Sequence, residues 1–366
     1  LIWLLLLAAL GILYPYLIYP LALAAVSRFA GRAPRAASAT PSVAVLVSAF
    51  NEESRIGEKI ANFEALDYPR DKLALWIGSD GSTDRTAEVV RRLAGDRVHL
   101  IERPARSGKT VVLNDLAGRA GADVLIFTDV NAFFRPDAVR RLTAVMADPA
   151  VGVVSGRTVI RMGDGNVEVE GAYYRLESWL KVREGACGWL PGADGAIYAL
   201  HARLYRDLPP ELINDLAHPC QVVTAGLQAR LEPLAVSEEH AGEDAGREFD
   251  RQTRMTAQAA FLLASFTGPL LRARRFGMLW VLLSHKWMRW VAAIWIVAGA
   301  AAAAALSPLA AAAIVMLAVL LLLAWRAGLR AAGLPLFFLL IHFAYLRGLW
   351  HALTGERYVT WKPRAG

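Results

Sequence analysis

Cysteine is nearly absent: Cys187 and Cys220 are the only two in 366 residues. Two cysteines cannot build a disulfide-stapled fold, and they read as reduced thiols on the cytoplasmic side of a membrane. Histidine is also sparse, and His201, His218 and His240 lack the spacing of metal ligands, so packing or solvent contact is their expected role. No nucleic-acid motif accompanies the net charge of +7, which excludes nucleic acid as an expected partner. Charge itself is missing from three long runs: Leu1 to Val26, Val291 to Trp325 and Ala331 to Leu346. At 55% hydrophobic and 20% charged, the chain is too apolar for a purely soluble domain.

Those runs set the membrane expectations. Crossing a bilayer takes ~20 apolar residues, and the first run meets that length. It lacks a basic segment before it and a small-residue cleavage pattern after it, so a retained anchor is expected rather than a signal peptide. The second run is too long for one span and breaks at Ser307-Pro308, which reads as a transmembrane hairpin. The third is borderline and either spans or lies in the interface. Arg28, Arg32 and Arg35 follow the anchor, and Arg272, Arg274 and Arg275 precede the hairpin. By the positive-inside rule the middle of the chain is cytoplasmic, in a multi-pass inner-membrane protein. Met255 to Leu271 is uncharged but diluted by Thr256, Gln258, Ser265 and Thr267, and is expected to lie in the interface.

The middle of the chain is an alternation. Ser42 to Glu52 is an apolar strand closing in a polar turn, and Ile56, Ile60, Phe63 and Leu66 recur at helical spacing. Leu73 to Asp80 is a second strand, whose tip, Ser79-Asp80-Gly81-Ser82-Thr83-Asp84, leads into a helix with good capping residues. Further strands over Arg97–Ile101 and Asp123–Asp129 flank a helix over Val111–Ala117. Strand–helix alternation predicts a mostly parallel, doubly wound α/β sheet, which places ligands at its strand tips. Asp129 and Asn131, one residue apart at such a tip, can share a hard divalent cation that also binds diphosphate oxygens. Arg106-Ser107-Gly108-Lys109-Thr110 looks like the tail of a P-loop, but Arg103 stands where that motif needs glycine.

Taken in order, Val47-Ser48-Ala49-Phe50-Asn51-Glu52, Ser79 to Asp84, Gly108-Lys109 with Asn114, and Thr128-Asp129-Val130-Asn131 resemble the family 2 glycosyltransferases with a GT-A fold. The resemblance runs from about Pro41 to Thr256. It continues through Leu190-Pro191-Gly192-Ala193-Asp194-Gly195-Ala196, Ile213-Asn214-Asp215 and Arg251-Gln252-Thr253-Arg254-Met255. These later motifs are similar to the membrane-integrated branch that makes cellulose, hyaluronan and poly-N-acetylglucosamine. The implied organisation is an anchor over 1–27, a linker over 28–41 and a GT-A (Rossmann-like, nucleotide-sugar-binding) domain over 42–254. An interfacial region over 255–275, transmembrane or interfacial helices over 276–350 and a tail over 351–366 complete it.

The resemblance implies inverting transfer of a sugar from a UDP-sugar to a saccharide or lipid-linked acceptor at the membrane, with Mg²⁺ or Mn²⁺. By that likeness Asp80 would bind the uracil, Ala49 and Glu52 would line the nucleotide pocket, and Lys109 would sit near the uridine and phosphates. Asp129 would hold the metal, with Asn131 replacing the usual second aspartate. Asp215 would be the general base, with Asn214 where many relatives carry an acid; an ordinary helix N-cap is the alternative reading. Gly192 and Asp194 would border the acceptor, and Trp179 and Trp189 are read either as stacking on sugar rings or as core aromatics. Arg251 and Arg254 would contact the diphosphate, while Met255 replaces a tryptophan that stacks on the acceptor. His285-Lys286-Trp287-Met288-Arg289-Trp290 fits either the headgroup region or the mouth of a saccharide channel. Two alternatives stay open: a non-processive transferase adding one sugar to a lipid, and a non-catalytic membrane assembly subunit that keeps the nucleotide-sugar domain.

Overall fold

The structure is a computed structural model and describes all residues except 36, 38–39, 162–171, 241–244, 327–329 and 357–366. It contains two compact units: one built mainly from Val26–Glu243 with Ala264–Met278, the other from Leu1–Ala25, Asp244–Leu263 and Leu279–Arg357. In chain order, α1 (Ile2–Leu13) and α2 (Tyr19–Ala30) are joined by a π-helical turn at Tyr14–Ile18. The expected alternation follows as β1 (Val43–Ala49), α3 (Ile56–Glu64), β2 (Leu73–Asp80), α4 (Thr86–Leu93), β3 (Val98–Arg103), α5 (Lys109–Arg119) and β4 (Val124–Thr128). After these come β5 (Phe133–Phe134), α6 (Ala138–Met146), β6 (Val151–Arg161), α7 (Ala172–Ala186), β7 (Tyr198–His201), α8 (Asn214–Thr224) and β8 (Gln228–His240).

One eight-stranded sheet runs in the order β3-β2-β1-β4-β7-β6-β8-β5. Every residue of β1 is buried, as a central strand covered on both faces requires. The helix α5 rests directly on β2, where a Cβ at Gly78 would lie 2.2 Å from Val112 Cγ1. The anticipated mostly parallel sheet holds for four of the seven strand pairings, β1–β2, β1–β4, β2–β3 and β6–β8. β1 to β4 pair in parallel, whereas β7 is antiparallel to both β4 and β6. That reversal has a consequence for the site. Phe127 pairs with Tyr198, so the chain leaving β4 and the chain entering β7 meet at one end of the sheet.

The helix α9 (Ala245–Arg272) is one 28-residue helix; its residues up to Leu263 belong to the helical unit and the rest to the sheet unit. The separate interfacial helix expected from Met255 is therefore its continuation, carrying Arg251 and Arg254 on the same rod. Beyond it lie α10 (Phe276–Val281), a π-helical stretch at Leu282–Trp287, α11 (Met288–Trp290), α12 (Ala292–Leu306), α13 (Pro308–Arg326) and α14 (Arg330–Leu353). The break at Ser307-Pro308 falls where expected, with Ser307 extended and Pro308 opening α13.

Among the described residues, Ile2–Ala30 and Pro335–Leu353 are each long and apolar enough to cross a membrane. Phe276–Trp290 and Ala292–Leu306 give a third only if their 50° bend lies within one span. The first arm of the anticipated hairpin is thus too short to cross alone. His285 and Arg289 are almost fully buried inside the helical unit rather than turned outward in a headgroup belt. They share that interior with Tyr16, whose hydroxyl lies 2.5 Å from His342 Nε2, and with Tyr14, bonded to Ser284 at 2.8 Å. The sidedness expected for the tail from Arg357, Lys362 and Arg364 falls outside the described residues.

Candidate active site

The turns after β1 and β2 are knitted together. Asn51 adopts a left-handed backbone, φ 54°, and its Oδ1 accepts from the Thr83 amide at 2.8 Å. The amides of Asn51, Glu52 and Glu53 donate in turn to Ser82, Thr86 and Asp84. Asp84 also accepts from the Thr86 N–H at 3.0 Å, so it closes the start of α4 although Arg85 occupies the N-cap. Ala49 is fully buried at the end of β1. Glu52 stands half-buried beside it, and burial, reinforced by Asp129 and Asp84 against Arg55, raises its carboxyl pKa.

Asp80 is occupied. One carboxylate oxygen accepts from both the amide and hydroxyl of Ser107 at 2.7 Å, and the other accepts from the Gly108 amide at 2.9 Å. Fully buried, it fastens the 105–108 loop to the tip of β2. Gly81 makes that contact possible: at φ 67° it passes so close that a Cβ would lie 2.6 Å from the Arg106 amide nitrogen. In this conformation both oxygens of Asp80 accept hydrogen bonds within the protein, from the loop that leads into Lys109.

Lys109 opens α5 and donates to Asp129 Oδ1 at 2.5 Å. Burial alone would lower its pKa, but Asp129, then Asp215 and Glu239, raise it. Beneath the Asp129 turn is a residue the motifs did not flag. Lys59 on α3 is buried and donates to Thr128 Oγ1 at 3.0 Å and to the Ala132 carbonyl, with Phe134 beneath it at 4.6 Å. Burial brings its pKa down to about 7 despite Asp129 and Glu239. The sequence does carry a signal for it: a lysine set among Ile56, Ile60 and Phe63 on the apolar stripe of a helix.

Asp215 sits in the first turn of α8, whose N-cap is Ile213, so it is not itself the N-cap. Burial raises its pKa, with Asp129 and Asp194 adding to the effect and Lys109 and Lys181 opposing it. Gly195 faces it closely, since a Cβ there would stand 2.7 Å from Asp215 Oδ2. Ala193 donates its amide to the Asp215 carbonyl at 2.8 Å, tying the 192–196 loop to α8. Within that loop Asp194 accepts from the amides of Thr158 and Ala196, a bracing role, and Gly192 lies against Leu216. Asn214 turns inward and donates to the Tyr198 hydroxyl at 2.6 Å, which also meets His218 Nδ1 at 3.1 Å. Asn114 latches the 205–208 segment, accepting from the Tyr205 hydroxyl at 2.6 Å.

The donor set suits a hard cation bound chiefly through its other partners. Among the described residues no three His, Cys, Asp or Glu side chains gather as a metal cage. Asp129, with the Asn131 amide nearby in sequence, supplies two oxygen donors, and the Lys109 ammonium already marks a cation position against Asp129. Such a sparse set fits an ion completed by phosphate oxygens and water. Arg251, Arg254 and Met255 belong to the helical unit, where Gly348 of α14 packs against Thr253 and Thr256. Trp179 stacks under Arg183 at 3.5 Å, and Trp189 packs on Gly277.

The profile described as Glycosyl transferase family 2 matches residues 44–197. The β-monoglucosyldiacylglycerol synthase of Synechocystis sp. is 32% identical over 124 residues, 33% of this chain and 26% of that protein. An N-acetylglucosaminyltransferase of Rhizobium leguminosarum bv. trifolii is 32% identical over 127 residues, 33% of this chain and 69% of that one. With the first of these relatives, then, the chain shares only about a quarter of the partner's length. Among solved structures, the mannosyltransferase PcManGT from Pyrobaculum calidifontis, in complex with GDP-Man and Mn²⁺, superposes with TM-score 0.74 at 23% identity. That superposition covers 96% of this chain and 98% of the other. The mixed sheet with its strand-tip site is therefore a GT-A domain, as the motifs implied.

Proposed function

From the premise that this chain belongs to glycosyl transferase family 2, we propose that it is a membrane-bound, inverting hexosyltransferase. It takes a sugar from a UDP-sugar and passes it to a lipid-linked or growing saccharide acceptor. The observation that carries this reading is Asp215: a carboxylate of raised pKa, opposite Gly195 and electrostatically coupled to the Lys109–Asp129 pair. A base of raised pKa holds a proton better than a solvent-exposed carboxylate does.

Asp215 accepts the proton of the acceptor hydroxyl as its oxygen bonds to the anomeric carbon. The bond from that carbon to the diphosphate oxygen breaks on the opposite face, so configuration inverts and the nucleoside diphosphate departs. Lys109, held by Asp129, turns its ammonium toward the negative charge that builds on the diphosphate. Ala49 and Glu52 line the nucleotide side, and Asp80 fixes the loop that delivers Lys109. Arg251 and Arg254, three residues apart on α9, are assigned to the diphosphate, with Gly192, Asp194 and Met255 on the acceptor side. Mg²⁺ or Mn²⁺, held by Asp129 and Asn131, would neutralise leaving-group charge when bound. The catalytic domain is placed on the cytoplasmic face of the inner membrane, with the apolar helices as its multi-pass anchor.

The test is donor turnover in lipid vesicles with Mg²⁺ or Mn²⁺ and a lipid acceptor, screening UDP-sugars beside GDP-sugars. Release of UDP from one donor, abolished in Asp215→Asn, is expected; the size of the labelled product then separates a polysaccharide from a single-sugar glycolipid. Equal signals from wild type and variant with every donor would overturn the assignment. Donor binding without turnover would identify the assembly-subunit reading instead.

A further inference from the structure

Two stretches of the GT-A unit that adjoin apolar helices are basic and contain no acidic residue: 26–35 and 264–278. Residues 36–263 separate them in sequence, yet both dock on one short segment, the end of α7 and the turn after it. The Arg32 amide donates to the Ala186 carbonyl at 3.1 Å, and the buried Arg230 guanidinium donates to the carbonyls of both Arg32 and Ala186. On the other side, Gly277 packs on Trp189 so closely that a Cβ would lie 2.3 Å from its ring, and Arg275 lies against Gly226. Arg183, in the last turn of α7, completes the cluster. Burial and then the neighbouring Arg28 depress the Arg183 guanidinium pKa, which places Arg28 at its side.

The exposed side chains of these two stretches alternate between cation and hydrocarbon. Arg28 precedes Phe29, which is 89% exposed; Leu271 precedes Arg272, and Arg275 precedes Phe276, which is 62% exposed. Bases interleaved with exposed apolar groups suit the boundary between headgroup phosphates and acyl chains, not bulk water. The backbone supplies a separate argument. Helix α9 ends in paired bonds from the Arg275 amide to the Leu270 carbonyl and from the Arg274 amide to the Leu271 carbonyl. This closing motif puts Arg274 in the left-handed region at φ 55°, a position that favours glycine. Arginine there costs backbone strain that glycine would relieve, and it carries an exposed guanidinium.

We infer that Arg28, Arg32, Arg183, Arg272, Arg274 and Arg275 form a collar that binds the headgroups of anionic phospholipids. The surface docks the GT-A unit on a negatively charged bilayer, independently of donor and acceptor chemistry. Because the apolar helices insert into any bilayer, partitioning is uninformative; the selectivity among lipids is the readout.

Full-length protein would be placed in phosphatidylcholine nanodiscs with spin-labelled phosphatidylglycerol or spin-labelled phosphatidylcholine, and the motionally restricted fraction measured. Wild type is expected to prefer the anionic probe several-fold, with the preference falling as salt rises. Each of Arg272→Gln and Arg275→Gln should lower that factor toward one, the direction expected when a basic residue near an anionic surface is removed. Arg274→Gly should do the same while its melting temperature stays level or rises, which separates headgroup contact from fold maintenance. Equal restriction of the two probes in wild type would overturn the inference. So would an undiminished preference when Arg272→Gln, Arg274→Gly and Arg275→Gln are combined.

Discussion

At the scale of single residues, the site depends on one close approach. Gly195 leaves no room for a side chain, since a Cβ would come within 2.7 Å of Asp215 Oδ2. A carboxylate can rotate away from such a methyl at little cost to folding, but a displaced base loses alignment with the acceptor hydroxyl. Gly195→Ala should therefore lower kcat by about 100-fold, the effect of an ångström-scale misplacement, while the melting temperature changes little. Turnover and thermal melts on the same preparation check both halves of that expectation. Asp215 also sets a pH dependence. Burial raises its pKa and Lys109 opposes the rise, so the ionised base, and with it kcat/KM, is lost as pH falls through a value above the ordinary carboxylate range. Lys109→Met removes the opposing charge and should shift the acid limb of the pH–rate profile to higher pH, beyond its direct loss of rate.

At the scale of elements, α8 is mounted on β7 by an inward-facing polar cluster. Asn214 and His218 converge on the Tyr198 hydroxyl, which stacks on Phe127 with ring centroids 4.7 Å apart. Position 214 thus serves the interior in this chain, where a second carboxylate pointing inward would be buried uncompensated. The same cluster gives stability a pH slope. Burial holds His218 down to about 3 from its ordinary 6.5, so between those values the unfolded chain binds the extra proton. Stability should fall as pH falls through that window, by up to about 1.4 kcal/mol per pH unit. Denaturant melts across pH 4 to 6.5 should show a shallower slope in His218→Gln.

Several site residues were legible as motif letters whose jobs were not. Asp80 was recognisable at the tip of a strand, yet only the packed structure shows its carboxylate fastened to Ser107 and Gly108. Lys59 carried a weaker signal, a charge on an apolar stripe. Its acceptors on Thr128 and Ala132 lie about seventy residues onward, a distance local pattern cannot bridge. The helix ends show the same limit. The apolar run of α9 was visible, but its fusion with the Arg251–Arg254 segment depends on hydrogen bonds continuing through residues of mixed polarity.

At the scale of the whole molecule, the two apolar helices at Ile2–Ala30 and Pro335–Leu353 should hold the chain in membranes against alkaline carbonate, with release only by detergent. Release by carbonate alone, followed by fractionation and immunoblotting, would contradict that placement.

The sequence by itself determined the class of the molecule: apolar runs long enough for a bilayer, a strand–helix alternation, and carboxylates at strand tips. Each is a property of residues near one another in the chain, so periodicity and run length suffice. Tertiary structure decided the rest. The antiparallel entry of β7 beside β4 brings Asp194 and Asp129 to one end of the sheet. The docking of residues 26–35 and 264–278 on the end of α7 gathers a cationic surface from distant segments. Such convergence depends on strand order and close packing across long sequence separations, which no local pattern encodes.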